Sequence, residues 1–518
     1  MQFTQGLHRA VQQKPNAIAT VFGDRQQTFL ELRDRVARFA SALKEQGFGP
    51  GDRIAILALN SDRYLEAYLA IAWLGAVVNP ANFRWSTAEV IYSLNDSNSV
   101  GLLIDDNFVE QAAEIRAGAP SIKSLMYIGE KQTPDGMQNT HSLIQLAKPI
   151  PDYEASGDAL MGVFYTGGTT GAPKGVMLSH ANIFSSGLSL LSEGLFREGA
   201  IGLHAAPMFH LADMMMTISL LIRGGQHIFL SAFRPDSVLT LAQQHRISDL
   251  LLVPAMLQAV VDFPELSSYD TNSVRNIIYG ASPAAEALLD RCISAIPSAA
   301  LTQVYGMTEM SAVMTVLPPE MHSSENRHLG RLRSGGRAAH HVQLRIVDNT
   351  DNELARGEVG EIIARGPNLM HGYLNKDDAS KEALHGGWMH TGDMGYMDNN
   401  GYVFIVDRLK DMIISGGENV YCAEVENVVL KHSAIASCSV FGIPCKDMGE
   451  KVHAALVLKP NQTITQEELY AHCKALIAGY KCPRSISIID ALPLSGAGKV
   501  LKTELRKPYW EGQSRSIA

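Results

Sequence analysis

Apolar positions fall in two patterns along this chain, helical spacing and short continuous runs, which predict helices alternating with buried strands. Phe29, Leu32, Val36, Phe39 and Leu43 recur at helical spacing as far as Gly47, and Thr28 with Glu31 ahead of them forms a capping box. A strand is expected over 53–59, with shorter ones near 101–105 and 124–128. The longest apolar run, 67–78, is twelve residues and stops at Asn79 and Pro80. It reads as one core helix, because a bilayer span needs roughly 20 residues. Segments 160–165, 227–230, 249–253, 276–279 and 301–305 read as further buried strands, each ending near Gly, Pro or polar residues. This is an α/β pattern, and ligands of such sheets sit beyond the strand C-termini.

From about residue 335 the texture changes to strands parted by turns: VQLRIVD, GEIIARG and GYVFIVD, with DNTDNE and MDNNG between them. A small β-rich subdomain is expected there. After DRLKD, at 407–411, comes a second α/β unit. It should hold a helix over 422–431, strands near 437–442 and 452–458, a Thr465/Glu468 capping box opening a helix to Ala478, and a strand over 485–489. The expected organisation is a large domain over 1–406, a connector at 407–411 and a small domain over 412–518.

Composition narrows the class. The 518 residues are 46% hydrophobic and 19% charged, and 44 basic against 53 acidic side chains leave a net charge of −9. That argues against nucleic acid as a bulk partner but leaves room for a local basic tunnel. Six cysteines without a CxxC pair fit a reduced, cytoplasmic protein without structural zinc. MQFTQGLHRAVQQKP lacks the apolar region of a secretion signal, and SRSIA is no peroxisomal SKL address. Nothing in the sequence speaks to oligomeric state, and a homo-oligomer stays open.

Candidate chemistry concentrates at VFYTGGTTGAPKG, residues 163–175. Gly167, Gly168 and Gly171 let backbone N–H groups approach an anion, while Thr166, Thr169 and Thr170 add hydroxyls and Lys174 adds charge. The combination suits phosphate. It is not a Walker loop, since no GK followed by Ser or Thr completes the spacing, and neither GxGxxG nor GxSxG occurs. The string resembles the phosphate loop of the AMP-forming acyl-CoA synthetases, the adenylate-forming enzymes that include fatty acyl-CoA synthetases, 4-coumarate ligases and luciferases. Gly167 departs from the pattern, standing where that family commonly has serine.

The resemblance extends over nearly the whole chain in family order. Gly280, Ala281, Ser282 and Pro283 resemble the adenine-side loop, usually GGAP. YGMTE, residues 305–309 with Gln303 before it, would alone read as a helix start. The resemblance implies that Tyr305 stacks on adenine, that Gln303 and Gly306 belong to the same cofactor-binding set, with Gly306 small enough to admit the acid chain, and that Thr308 meets the α-phosphate and Glu309, with Thr170, magnesium. Asp393 in WMHTGD matches the ribose-hydroxyl acceptor. DRLKD reads alone as a solvated charge run, but by resemblance Arg408 touches ribose and Lys410 is a hinge. Gly416, Gly417 and Asn419 in GGENVY would leave room for a pantetheine arm, and Cys422 replaces the usual proline. Lys499 in SGAGKVLK matches the lysine that meets charge developing at the α-phosphorus. His210 in PMFH is either a satisfied core histidine or the residue lining the acyl tunnel. Met214, Met215 and Met216 either pack the core or shape an acyl pocket.

The family implies an α/β fold with a mobile C-terminal lid and two half-reactions. A carboxylate and Mg·ATP give acyl adenylate and pyrophosphate, after which the lid turns about Lys410 and coenzyme A takes the acyl group, releasing AMP. The catalytic set would be Lys499, Glu309, Thr308 and His210, and the cofactors ATP, Mg2+ and coenzyme A. A medium- or long-chain fatty acid is the expected substrate. An aryl-propenoic acid, and a carrier protein as acceptor, are the alternatives. An amino acid is a poor candidate, since PMFH stands where amino-acid-activating relatives hold the substrate amine with aspartate.

Overall fold

Parallel strands that each run into a loop form the framework, as the sequence pattern predicts. We describe them in a computed structural model covering residues 1–166, 173–282, 284–408, 411–416, 418–445, 447–494 and 500–511. The chain divides into two compact units, Met1–Gln343 with Ala364–Met389, and Leu344–Ile363 with His390–Ala518.

The first unit holds two large sheets. In the nine-stranded one, Ala300–Tyr305, Asn276–Gly280, Asp249–Leu252, Ile201–His204, Gln226–Phe229 and Ile18–Phe22 lie side by side in that order and parallel. Antiparallel partners, Arg25–Thr28 at one edge and Thr315–Leu317 with Arg337–Ala338 at the other, complete it. In the eight-stranded sheet, Leu160–Thr166, Val77–Pro80, Arg53–Leu57, Gly101–Ile104, Ser124–Tyr127 and Gln138–Asn139 run parallel. Lys174–Ser179 then pairs antiparallel with Leu160–Thr166, and Gly372–Tyr373 pairs antiparallel with Lys174–Ser179. Strands of these sheets such as Ile54–Leu57 and Leu102–Ile104 are wholly buried, which is why they read as continuous apolar runs.

Local signals decide several boundaries. Thr28 and Glu31 close a complete capping box on the helix Phe29–Glu45, and Thr465 with Glu468 does the same for Gln466–Lys474. That second helix ends short of the predicted Ala478. The run 67–78 is not one helix: Asp62–Trp73 is helical and Val77–Pro80 is a strand. Gly75, at φ +74°, makes the break in a left-handed conformation that suits glycine. No helix among the described residues is long and apolar enough to cross a membrane.

The second unit contains most of a four-stranded sheet, in the order Gln343–Val347, Gly360–Arg365, Met389–Met397 and Val403–Arg408. Its other sheet is built on the long antiparallel pair Ile435–Cys445 and Gly449–Leu458, with Ile413–Ser415 and Glu418–Val420 on one side and Ser485–Ile488 parallel to Gly449–Leu458. The helices Cys422–Val429 and Gln466–Lys474 bury Val425, Val429, Leu469 and Cys473 in its core.

Candidate active site

In the first unit the site residues gather where strands of both sheets end. Thr166 closes its strand opposite Lys174, which opens the next, so the two flank the glycine loop across one antiparallel register. Gly167, Gly168, Thr169, Thr170 and Gly171 lie outside the described residues. Ahead of the loop, Tyr165 is anchored by its hydroxyl, which donates to Asp96 at 2.7 Å. Burial, and then that carboxylate, raise the phenol far above its ordinary value and keep it a donor.

Lys174 Nζ lies 4.8 Å from the centre of the Tyr373 ring, and the Tyr373 hydroxyl donates to Glu309 Oε1 at 2.8 Å. The Lys174 ammonium is thus joined through one aromatic side chain to a carboxylate in the turn that follows the strand Ala300–Tyr305 of the other sheet. Burial and the adjoining Glu309 carboxylate hold the Tyr373 phenol well above its usual range, so it donates at any physiological pH. Glu309 is only 7% exposed, in a short helical turn Thr308–Met310, and its carbonyl accepts the Met370 N–H at 2.9 Å. A buried, oriented carboxylate fits a magnesium ion arriving with nucleotide phosphates, because Mg2+ binds through one or two carboxylates with phosphate and water supplying the rest.

Neighbouring backbone is equally constrained. The carbonyl of Tyr305 accepts the Met314 N–H at 2.9 Å, and Asn368 Nδ2 donates to Met310 O and Val313 O at 2.7 Å each. These bonds fold 306–313 back on itself. A Cβ on Gly306 would stand 2.2 Å from Ala312 O, and one on Gly280 would stand 2.1 Å from Val304 O. Gln303 pairs in register with Tyr279, whose hydroxyl reaches Gln303 Oε1 at 3.3 Å and His322 Nε2 at 2.9 Å. Ala281 then takes φ +67°, a left-handed conformation, at the place where the resembled GGAP loop has glycine. Ser282 is half-buried beside it, and Pro283 lies outside the described residues.

His210 immediately precedes the helix Leu211–Arg223, in the loop that follows the strand Ile201–His204 of the nine-stranded sheet, its ring 4.1 Å from that of Phe209. Phe209 in turn meets Phe83 edge-on at 5.0 Å. Met214, Met215 and Met216 are buried to 2% exposure or less, so here they pack the core.

In the second unit Asp393 and Arg408 occupy paired positions on adjacent strands, with Arg408 Nε 3.4 Å from Asp393 Oδ1. The structure therefore brings both predicted ribose-side residues together. Asp407 is buried and accepts the backbone N–H groups of Arg408 and Cys422, and burial raises its carboxyl above the usual range despite the Lys502 ammonium. Burial also pushes the Cys422 thiol far up, which makes it no nucleophile at neutral pH. Gly416, at φ +62°, donates its N–H to Met448 O, and Asn419 stands on the strand Glu418–Val420. Lys410, Gly417 and Lys499 lie outside the described residues.

Tyr373 is the participant that the sequence reading missed. Its role arises from partners 64 residues away and beyond, and GYLN carries no local pattern that announces them.

The family model described as AMP-binding enzyme matches 7–374, and the AMP-binding enzyme C-terminal domain matches 424–499. A feruloyl-CoA synthase of an Amycolatopsis species is 36% identical over 504 residues, covering 97% of this chain and 98% of the relative. A medium/long-chain-fatty-acid–CoA ligase of Mycobacterium tuberculosis is 32% identical, covering 98% and 90%. Among solved structures, o-succinylbenzoate CoA synthetase from Bacillus subtilis in complex with its acyl-adenylate intermediate superposes with a TM-score of 0.85 at 30% identity, covering 99% of both chains.

Proposed function

This chain belongs to the AMP-binding enzyme family and is an AMP-forming acid–CoA ligase, and from that premise we propose that it activates an apolar carboxylic acid, an aryl-propenoic acid before a fatty acid. The observation that supports the ligase chemistry is the Lys174–Tyr373–Glu309 connection, a cation suited to phosphate and a buried carboxylate suited to magnesium joined through one aromatic side chain. In the proposed first step, the substrate carboxylate attacks the α-phosphorus of Mg·ATP and pyrophosphate leaves. Lys174 and the threonine-rich loop would hold the departing phosphates, Glu309 would hold magnesium, which would neutralise phosphate charge, and Thr308 would bond the α-phosphate. Lys499 meets the developing charge. In the second step the thiolate of coenzyme A attacks the acyl carbonyl and AMP departs, with Gly416, Gly417 and Asn419 beside the pantetheine arm and 407–411 as the hinge. Asp393 and Arg408 serve the ribose in this reading.

Two observations support an aryl acid. The feruloyl-CoA synthase relative is 36% identical over 504 residues, and beside His210 stands the aromatic ring of Phe209, which in turn meets that of Phe83. The burial of Met214, Met215 and Met216 favours neither acid, since the run would have suited an alkyl or an aryl chain alike. The fatty-acid reading keeps its own support in the Mycobacterium tuberculosis relative. Acid-dependent AMP release with coenzyme A, measured for ferulate, 4-coumarate, octanoate and palmitate, decides between them. The proposal expects kcat/KM for an aryl-propenoate to exceed that for either alkyl acid by about tenfold or more; the reverse order assigns the enzyme to fatty acids. Replacing coenzyme A with a phosphopantetheinyl carrier protein tests the acceptor in the same assay. All six cysteines are free thiols, which supports a reducing, cytoplasmic setting.

A further inference from the structure

Beneath the loop that carries His210 lies a chain of charged and polar side chains that the proposed chemistry does not use. Asp213 Oδ2 accepts from His204 Nδ1 at 2.8 Å, and His204 Nε2 meets His227 Nδ1 at 2.9 Å. All three residues are at most 1% exposed. The two imidazoles are nearly coplanar, at 6°, as an in-plane nitrogen-to-nitrogen bond requires, and Phe229 stacks on His204 at 4.8 Å. Burial lowers the proton affinity of His227 far below that of a free histidine, and neighbouring His204 adds to the effect. Asp213 Oδ1 and His227 Nε2 meet no hydrogen-bond partner among the described residues.

Such a network is an expensive way to hold a strand to a helix, because apolar side chains of the same volume would do so without desolvating a carboxylate. What it does that an apolar contact cannot is fix a direction. His204 ends the strand Ile201–His204, and Asp213 sits in the first turn of the helix Leu211–Arg223, so their bond clasps both ends of the intervening loop. The middle is held independently. Asn60 Nδ2 donates to His204 O and Ala206 O at 3.1 and 2.7 Å, and Asn60 Oδ1 accepts the Met208 N–H at 2.8 Å. The Tyr68 hydroxyl donates to Met208 O at 2.7 Å, and His210 N–H bonds back to Pro207 O at 3.1 Å. The restraints fall on both ends of the loop and, through Met208 and Pro207, on PMFH itself.

We propose that Asp213, His204, Asn60 and Tyr68 are positioning residues for acid binding, which hold the 207–210 loop so that His210 and Phe209 present a fixed wall to the acyl group. The proposal rests on the reading of His210 as an acid-side residue, and the test separates the two. Steady-state constants for acid and ATP would be measured separately, with melting temperatures, for His210→Asn, Tyr68→Phe, Asp213→Ala and Asp213→Asn. Tyr68→Phe removes one hydroxyl and keeps the ring, so it decides the matter if Asp213→Ala does not fold. Loss of one restraint should raise KM for the acid about three- to tenfold while kcat and KM for ATP stay within about twofold, the signature of lost ground-state positioning. Asp213→Asn, which keeps an acceptor for His204, should recover most of the loss seen in Asp213→Ala. If His210→Asn raises the acid KM and Tyr68→Phe and Asp213→Ala do not, or if their losses fall equally on acid, ATP and kcat in step with melting temperature, the proposal is overturned and the reading of His210 stands. If His210→Asn leaves the acid KM unchanged, that reading falls and the proposal falls with it.

Discussion

Tyr373 touches both ends of the candidate phosphate site, and its hydroxyl is the one atom whose removal tests that contact without emptying space. A hydrogen bond to a charged partner contributes about 1.5–3 kcal/mol, so Tyr373→Phe should lower kcat/KM for ATP by roughly ten- to a hundredfold. Because the bond orients the carboxylate assigned to magnesium, the Mg2+ concentration giving half-maximal rate should rise as well. Initial rates across a magnesium titration check both, and an unchanged titration would remove Glu309 from the metal. The place of Glu309 in a turn after a strand was legible, since YGMTE follows an apolar run. Tyr373 was not, because what makes it matter is the approach of Lys174 and Glu309 from two different sheets.

At the scale of elements, the loops of the site are tight because backbone faces backbone. A methyl group added at Gly306 or Gly280 would meet a carbonyl oxygen at 2.2 or 2.1 Å, and a carbonyl fixed in a ladder or turn cannot retreat as a flexible side chain can. Gly306→Ala and Gly280→Ala should each destabilise by about 1–3 kcal/mol and raise KM for ATP, read by urea denaturation and by rates. Helix starts were legible where a side chain completes a reciprocal cap, as at Thr28 and Thr465. The run 67–78 was misread because a helix and a parallel strand buried on all sides share the same unbroken hydrophobicity. Gly75 inside it was the available signal. The strand Lys174–Ser179 went unremarked, and with it the register that sets Lys174 opposite Thr166.

Over the whole molecule, buried neutral histidines set an acid limit. Burial lowers His180, His322, His341 and His453 to about 4, from an ordinary value near 6.5. Between those values the unfolded chain binds more protons than the folded one, so stability is full above about pH 6.5 and falls as pH drops towards 4. Melting temperatures taken from pH 8 to 4 should be level at first and then decline; a level profile to pH 4 would show that these side chains are not buried neutral. The role proposed for Lys499 belongs at this scale too. Lys499→Ala should slow adenylation by about two to three orders of magnitude while thioester formation from supplied acyl adenylate is largely kept, and equal loss in both steps would remove it from the first. The claim beneath all of these is that a carboxylate attacks ATP reversibly at this site. Exchange of labelled pyrophosphate into ATP measures that directly, across a panel of aryl-propenoic and fatty acids with coenzyme A left out. The account predicts exchange that requires both acid and magnesium and falls by about two to three orders of magnitude in Lys499→Ala; no exchange with any acid of the panel would contradict it.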